Sequence, residues 1–401
     1  MVCRSNVSIM DESSCSGCGL CSFVCPMRCV EMKENERGFI LPAVGNNFIA
    51  CGKCLADCPS INPPVSDYLD IGLVAQSGVS ENLVASTGGG MHLHLANSMM
   101  ALGGVSYGAA FSDEWVVEHI ECHTAEEVMR CRGSKYVQSS LTNKVFASIK
   151  KNLEQNIPVL FTGLPCQTAA VKTAFGDNAS LFLVDLVCHG VASPMAWRQY
   201  LSDMQFGRIE SIRFRNKTYG YHMSTMRVVY ASGVYSKSGR IDPYLRAFFS
   251  GIAHRKSCNE CKFKGRRRYS DITLFDCGRY CELTGDNDDD LGHTSVLVNT
   301  KKGEKLLLEL GKEEVVFSAI DRGMGEQLNG KMIEGCTPKH PRSDSFYSQI
   351  LSNSFSSVVQ SYLPIKLSDY CIEAVKGLAC KTGILTFLRK AKERKLLVTK
   401  H

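Results

Sequence analysis

Cysteine is the residue type with the most chemistry to offer in this sequence. There are 20 cysteines among 401 residues, and nine of them fall in the first 58. Four stand in the run Cys15-x2-Cys18-x2-Cys21-x3-Cys25-Pro26. Three thiolates spaced this way can each take a corner of a small iron–sulfur cubane, and the fourth, ahead of a proline, turns away to serve a second cluster. A half-motif follows, Cys51-x2-Cys54-x3-Cys58-Pro59. A complete second motif would start three residues before Cys51, where Phe48 stands. The second cluster is therefore short of one thiolate. It is a three-iron cluster, or it recruits Cys29 just after Cys25, or it does not form. Zinc is the rival for the first motif, but four cysteines closed by proline favour iron and sulfide.

The later cysteines are dispersed. Cys166 follows an apolar run that ends at Thr162, and Cys188 ends the run that starts at Leu181. If both runs are parallel strands, both thiols sit at one carboxyl edge, where open α/β sheets build their sites. Cys258 and Cys261 form a CxxC on a basic loop that could cover that edge. Two readings stay open: a four-thiolate iron–sulfur site, or a zinc ribbon over Cys258-x2-Cys261-x15-Cys277-x3-Cys281. Cys3, Cys122, Cys131, Cys336, Cys371 and Cys380 show no spacing logic and read as core or surface thiols. Gly88-Gly89-Gly90 ahead of a helix offers backbone amides to a phosphate, or is an ordinary turn. His92 and His94 are two apart on a helix and do not share a face. Arg266 to Arg268 form a basic run, read as a solvated face or as an offset to negative charge. Asp286 to Asp290 read as a solvated loop.

The elements that must position these residues show a change near Pro59 to Pro64. Before it lies a small cysteine-rich unit. After it, strands and helices alternate. Strands are expected at 71–75, 105–111, 116–120, 158–162, 181–187, 209–214, 226–231, 272–275 and 295–299. Helices are expected at 91–102, 143–155, 167–175 and 243–250, the last opened by Pro243 at a first-turn position. Strand, helix, strand at this spacing implies a parallel crossover. The expected class is α+β: a small ferredoxin-like iron–sulfur domain (1–64), then a larger α/β domain with a mixed, partly parallel sheet. That larger part divides into 65–155 and 156–335, and a helical basic tail follows (336–401).

Composition narrows the class. Hydrophobic residues make up 44% and charged residues 21%, as in ordinary globular chains. Net charge is +6, too mild to argue for nucleic acid or a membrane surface. No run reaches the roughly 18 apolar residues of a membrane span, and residues 1–12 lack a signal-peptide pattern. Reduced thiols in the cytoplasm are the expectation.

The two cysteine motifs together resemble a bacterial two-cluster ferredoxin domain. By the crossed ligation of that family, Cys15, Cys18, Cys21 and Cys58 would hold one [4Fe-4S] cluster, with Cys25, Cys51 and Cys54 serving the other. Further segments occur in a fixed order: Thr87-Gly-Gly-Gly90, Gly103-Gly-Val-Ser-Tyr-Gly108, Gly133-Ser-Lys-Tyr136, Phe161-Thr-Gly-Leu-Pro-Cys-Gln167, Val187-Cys-His-Gly190, Ser257-Cys-Asn-Glu-Cys-Lys-Phe-Lys264 and Ser270-Asp-Ile-Thr273. In that order they resemble the beta subunits of coenzyme F420 hydrogenases and dehydrogenases, over about residues 12 to 310. The resemblance implies FAD, a third [4Fe-4S] cluster on Cys166, Cys188, Cys258 and Cys261, and exchange with a deazaflavin, a nicotinamide-type carrier or a redox partner protein. It places Thr87, Gly88, Gly89 and Gly90 at the flavin pyrophosphate, and Ser134 and Lys135 near the ring or phosphates. His189, next to Cys188, could hydrogen-bond a cluster sulfide or move a proton, or be structural. The chain departs from the family at Phe275-Asp-Cys-Gly-Arg-Tyr280, where an aromatic wall is lost. The expected function is an iron–sulfur flavoprotein oxidoreductase. The alternative is a non-catalytic electron-transfer subunit, linked with surface polysaccharide synthesis. A zinc-dependent binding module is a third reading, disfavoured because no aromatic-interleaved basic stripe is present.

Overall fold

The computed structural model describes residues 6–310 and 314–384. Cys3 and the basic stretch from Lys390 to Lys400 lie outside the described residues. Among the described residues, thirteen strands form three sheets. β1 (Val30–Glu34) and β2 (Ile40–Val44) make an antiparallel hairpin. β3 (Ile71–Ser77), β4 (Val105–Phe111), β5 (Val117–Cys122), β6 (Val159–Gly163) and β7 (Leu181–Leu186) belong to the large sheet. β8 (Ile209–Asn216), β9 (Thr225–Tyr230) and β10 (Gly233–Ser238) form a three-stranded antiparallel sheet. β11 (Ile272–Asp276), β12 (Thr294–Val298) and β13 (Val315–Ile320) complete the large sheet in the order β13-β3-β12-β11-β7-β6-β4-β5. Its four middle strands, β11, β7, β6 and β4, run parallel, and antiparallel strands flank them on both sides.

The two faces follow from the strand period of two. Leu160, Val184, Leu274 and Val296 point to one face, against the helices Met91–Ala101 and Lys301–Leu308. Val159, Phe161, Leu181 and Leu183 point to the other, against Asn143–Glu154 and Pro165–Phe175. Both faces are covered, so β6 and β12 are buried at every residue, as central strands of such sheets must be. A third core is aromatic, with Trp197, Tyr200, Phe214, Tyr244 and Phe248 between β8–β9 and the C-terminal helices.

The N-terminal segment docks on this body by shape and by hydrogen bonds. Leu20 joins the core around Phe146. Gln138 pairs with the backbone of Ile40 in both directions, at 2.9 and 2.8 Å. Gly19 lies where a Cβ would come within 2.3 Å of the Leu141 carbonyl, with φ at +82°. Only glycine allows both the left-handed turn and that approach.

Two readings of charged segments are corrected. Arg268 is not solvated: it is buried against Asp185, which accepts from its Nε at 3.1 Å and its Nη2 at 2.8 Å. Arg266 and Arg267 do stay exposed: Arg266 pairs with the buried Glu326, and Arg267 donates to the Ser66 carbonyl. The Asp286–Asp290 segment is not simply a solvated loop either. Asp288 is buried, and its Oδ2 lies 2.9 Å from His222 Nε2. A loop carrying this much charge folds inward because the carboxylate finds a partner there.

Candidate functional site

β6 and β7 are adjacent and parallel, so the segments leaving their carboxyl ends emerge side by side. After β6 the chain turns into the helix Pro165–Phe175, with Pro165 in the first turn. This helix starts two residues before the expected Gln167, because Gln167 caps it from inside: its Oε1 accepts from Leu164 N at 2.9 Å. Cys166 thus sits in the first helical turn. Cys188 lies two residues beyond β7. The short helix Lys256–Asn259 brings Cys258, and Cys261 follows it. All four cysteines line one cavity, with Ser13, Ser14 and Ser16 of the N-terminal segment on its far side.

Two lysines of the CxxC loop tie this arrangement together. Lys264 donates to the carbonyl oxygens of Cys188 and Met332, and Lys262 donates to the Ser60 carbonyl. Burial raises the Cys188 thiol to about 12 and pushes Cys166 well above its ordinary value. Such thiols are protonated at neutral pH unless a metal or other cation holds them as thiolates. Two residues at this site have no motif and were not legible in the sequence. Arg255 is buried among Cys258, Cys166, Cys15 and Cys261; burial works against its charge, and the thiols hold it above the usual arginine value. Its Nη2 lies 3.8 Å from Cys258 Sγ and its Nε donates to Ser257 Oγ at 2.8 Å. Cys336 Sγ accepts from Cys261 N at 3.3 Å.

Across Arg255 lie the N-terminal cysteines. Cys58 is close enough to act on the charge of Cys15, Cys18 and Cys21. Burial raises Cys18 to about 11. Cys25 and Cys21 both pack on the small core that holds Cys54, so the two thiol sets adjoin; Cys54 is buried and Cys51 is exposed. Phe48 is exposed as well.

The zinc-ribbon set is not gathered. Cys277 has Asp276, Asp288 and Asn329 as neighbours, not the CxxC. Tetrahedral zinc needs sulfurs about 3.8 Å apart. Among the described residues, three ligand atoms lie within 4.8 Å of one another only at Asp288, Asp289 and His293. There Gln76 already donates to Asp289 Oδ2 at 2.8 Å. Cys122 and Cys131, unremarkable by spacing, are brought to 3.6 Å between sulfurs in the core.

A second, larger cavity of about 630 Å³ opens between the large sheet and β8. Thr87, Ser134 and Lys135 line it, and Ser134 N donates to Thr87 Oγ1 at 3.0 Å. Gly88, Gly89 and Gly90 are not on its wall. Gly89 N donates to Thr294 Oγ1 at 2.9 Å, and a Cβ there would meet the Ala75 carbonyl at 2.4 Å. The glycines serve close packing against β3 and β12. The wall carries Arg130, Arg132, Lys135, Arg208, Arg213 and Arg215 against only Asp113 and Glu210, a balance suited to a polyanion. Burial lowers Lys135 to about 8, and burial with Arg132 and Arg227 nearby lowers Arg213. Phe111, Trp115 and Phe214 supply aromatic surface. The arginines were missed in the sequence; their signal is the alternation of Arg213 and Arg215 with the inward Ile212 and Phe214.

The two cavities are joined by packed side chains. Tyr136, next to Lys135, stacks on Phe248 at 4.3 Å between centroids, and Phe248 meets the buried His254 at 4.9 Å. His254 packs on Gly190, where a Cβ would lie 2.7 Å from its Nδ1. The Gly190 carbonyl is 3.8 Å from Cys188 Sγ.

No helix among the described residues is long and apolar enough to cross a membrane. Residues 158–321 match the family model for the carboxy-terminal part of the coenzyme F420 hydrogenase/dehydrogenase beta chain. The chain is 23% identical over 343 residues to one component of the F(420)H(2) dehydrogenase of Methanosarcina mazei, covering 81% of this chain and 90% of that one. A solved structure described as the xenon-derivatised F420-reducing [NiFe] hydrogenase complex from Methanosarcina barkeri matches with a TM-score of 0.47 at 18% identity. That match covers 67% of this chain and 90% of the other.

Proposed function

We propose, from the match of residues 158–321 to the family model of coenzyme F420 hydrogenase/dehydrogenase beta chains, that this chain is an iron–sulfur flavoprotein oxidoreductase. It passes electrons between a hydride carrier and a redox partner. The observation that carries this reading is the meeting of two thiol sets at Arg255: Cys166, Cys188, Cys258 and Cys261 on one side, Cys15 and Cys18 on the other. Buried thiols from three separate segments, with a buried cation and two lysines around them, suit a cluster whose core is negative. Cys15, Cys18, Cys21 and Cys58 suit a second one. Both donor sets fit the group that the fold family implies.

The large cavity fits a dinucleotide flavin by charge. Its arginines would take the phosphates, Thr87 and Ser134 would hydrogen-bond the ligand, and Lys135 would favour an anionic form by Coulomb attraction. A flavin, when bound, supplies the exchange of a hydride for two single electrons. The protein's own groups would bind and orient it, and Phe111, Trp115 and Phe214 would keep water from one side. The hydride carrier is read as a deazaflavin because the Methanosarcina mazei relative is named a dehydrogenase of the reduced form.

Anaerobic purification with iron, sulfide, zinc and flavin counts tests the proposal, followed by mixing with reduced deazaflavin or NADH. Bound flavin, several irons per chain and bleaching of the flavin band by the deazaflavin support it. Zinc without iron, together with no flavin, overturns it. Reducible clusters without flavin would leave only an electron-transfer role.

A further inference from the structure

We propose that Cys29 is the fourth protein ligand of a second iron–sulfur cluster, with Cys25, Cys51 and Cys54, in place of the cysteine that Phe48 replaces. This rests on the iron–sulfur reading above and adds a ligand that the motif does not contain. Three observations converge. First, the chain reverses sharply after Pro26. Arg28 N donates to the Cys25 carbonyl at 3.1 Å, and Arg28 holds φ at +50°. A bulky residue in the left-handed region is strained unless the surroundings enforce it. The consequence of the turn is that Cys29 Sγ comes to 3.4 Å from Cys25 Sγ.

Second, Cys29 is buried in the same small cluster as Cys54, with Cys25 packed against both. Cys51 lies near Cys54 in the preceding loop. Third, the β1–β2 hairpin sets the two candidate positions at one end. Val30 pairs with Val44, and Gly45 N donates to the Cys29 carbonyl at 2.8 Å. Cys29 thus sits opposite Gly45 across the end of the ladder, and residue 48 follows three residues later in the chain. Phe48 is 37% exposed.

The test uses full-length protein reconstituted anaerobically with ferrous iron and sulfide. Iron and sulfide are counted and electron paramagnetic resonance spectra recorded for Cys29→Ala, Cys29→Ser and the double variant Cys29→Ala/Phe48→Cys. The expected result is a loss of about one iron, if a three-iron core remains, or about four, if the cluster is lost. The double variant should regain the wild-type count. Full iron and an unchanged spectrum in both single variants would overturn the proposal. So would a wild-type count in Cys25→Ala, which shows no cluster at this site and leaves the other two thiol sets standing. A loss that also removes the Cys18 cluster and is not relieved by Phe48→Cys marks a folding defect and counts against it. Wild-type protein with no iron would overturn the functional reading and this ligand together.

Discussion

Arg255 is the residue whose removal should register most clearly at the site. It is 4% exposed, and among the described residues no carboxylate forms an ion pair with it. The negative charge beside it comes from thiols. Its guanidinium stands 3.8 Å from Cys258 Sγ. Two unit charges at that separation interact by about 4 kcal/mol at an effective dielectric near 20. An electron added to a cluster spreads over several atoms, so about half of that, roughly 2 kcal/mol, is the expected effect on the reduced state. At about 59 mV for each 1.36 kcal/mol, this is roughly 90 mV. Arg255→Met should lower the midpoint potential of the Cys258 cluster by that amount, because the cation stabilises the more negative, reduced form. Arg255→Lys should keep most of the wild-type value. The assay is an anaerobic redox titration followed by electron paramagnetic resonance. A Met variant with full iron and a shift below about 20 mV, or a shift upward, would refute the electrostatic reasoning.

Other outcomes follow from the same geometry. Lys135 is cationic below its value of about 8. Affinity for an anionic flavin should therefore fall as pH rises through 8, by up to about tenfold per unit, and Lys135→Met should flatten that dependence in a fluorescence titration. Gly89→Ala should destabilise the fold by about 1–3 kcal/mol in urea unfolding, since the new Cβ meets backbone atoms of Ala75 and Thr294. Arg268→Met should cost about 3–5 kcal/mol in the same experiment, because it leaves the buried Asp185 carboxylate without its partner.

The central strands were legible because they are apolar on both faces. β4 and β6 announce themselves by runs such as Val159 to Thr162, and the β6–helix–β7 crossover follows from their spacing. The strands that were missed, β10 and β13, lie at sheet edges and are only partly buried, so neither shows a regular alternation of buried and exposed residues. β2 adds Pro42, which also marks it as an edge. At the site, the parallel-strand argument was enough to bring Cys166 and Cys188 to one edge. Arg255 and Cys336 have no motif, and their place depends on long-range packing. The arginines of β8 alternate visibly, but which face meets a cavity depends on how the small sheet docks. Gly88 to Gly90 illustrate the opposite difficulty: a glycine run ahead of a helix looks the same whether it admits a phosphate or a neighbouring strand.

The account depends most on the cluster at the sheet edge. Iron and acid-labile sulfide counts on anaerobically prepared wild type and Cys258→Ala test it directly. The prediction is a loss of about four irons in the variant, with the spectrum of the Cys15, Cys18, Cys21 and Cys58 cluster unchanged. The same iron content in both proteins, or zinc in place of iron at this site, would contradict it.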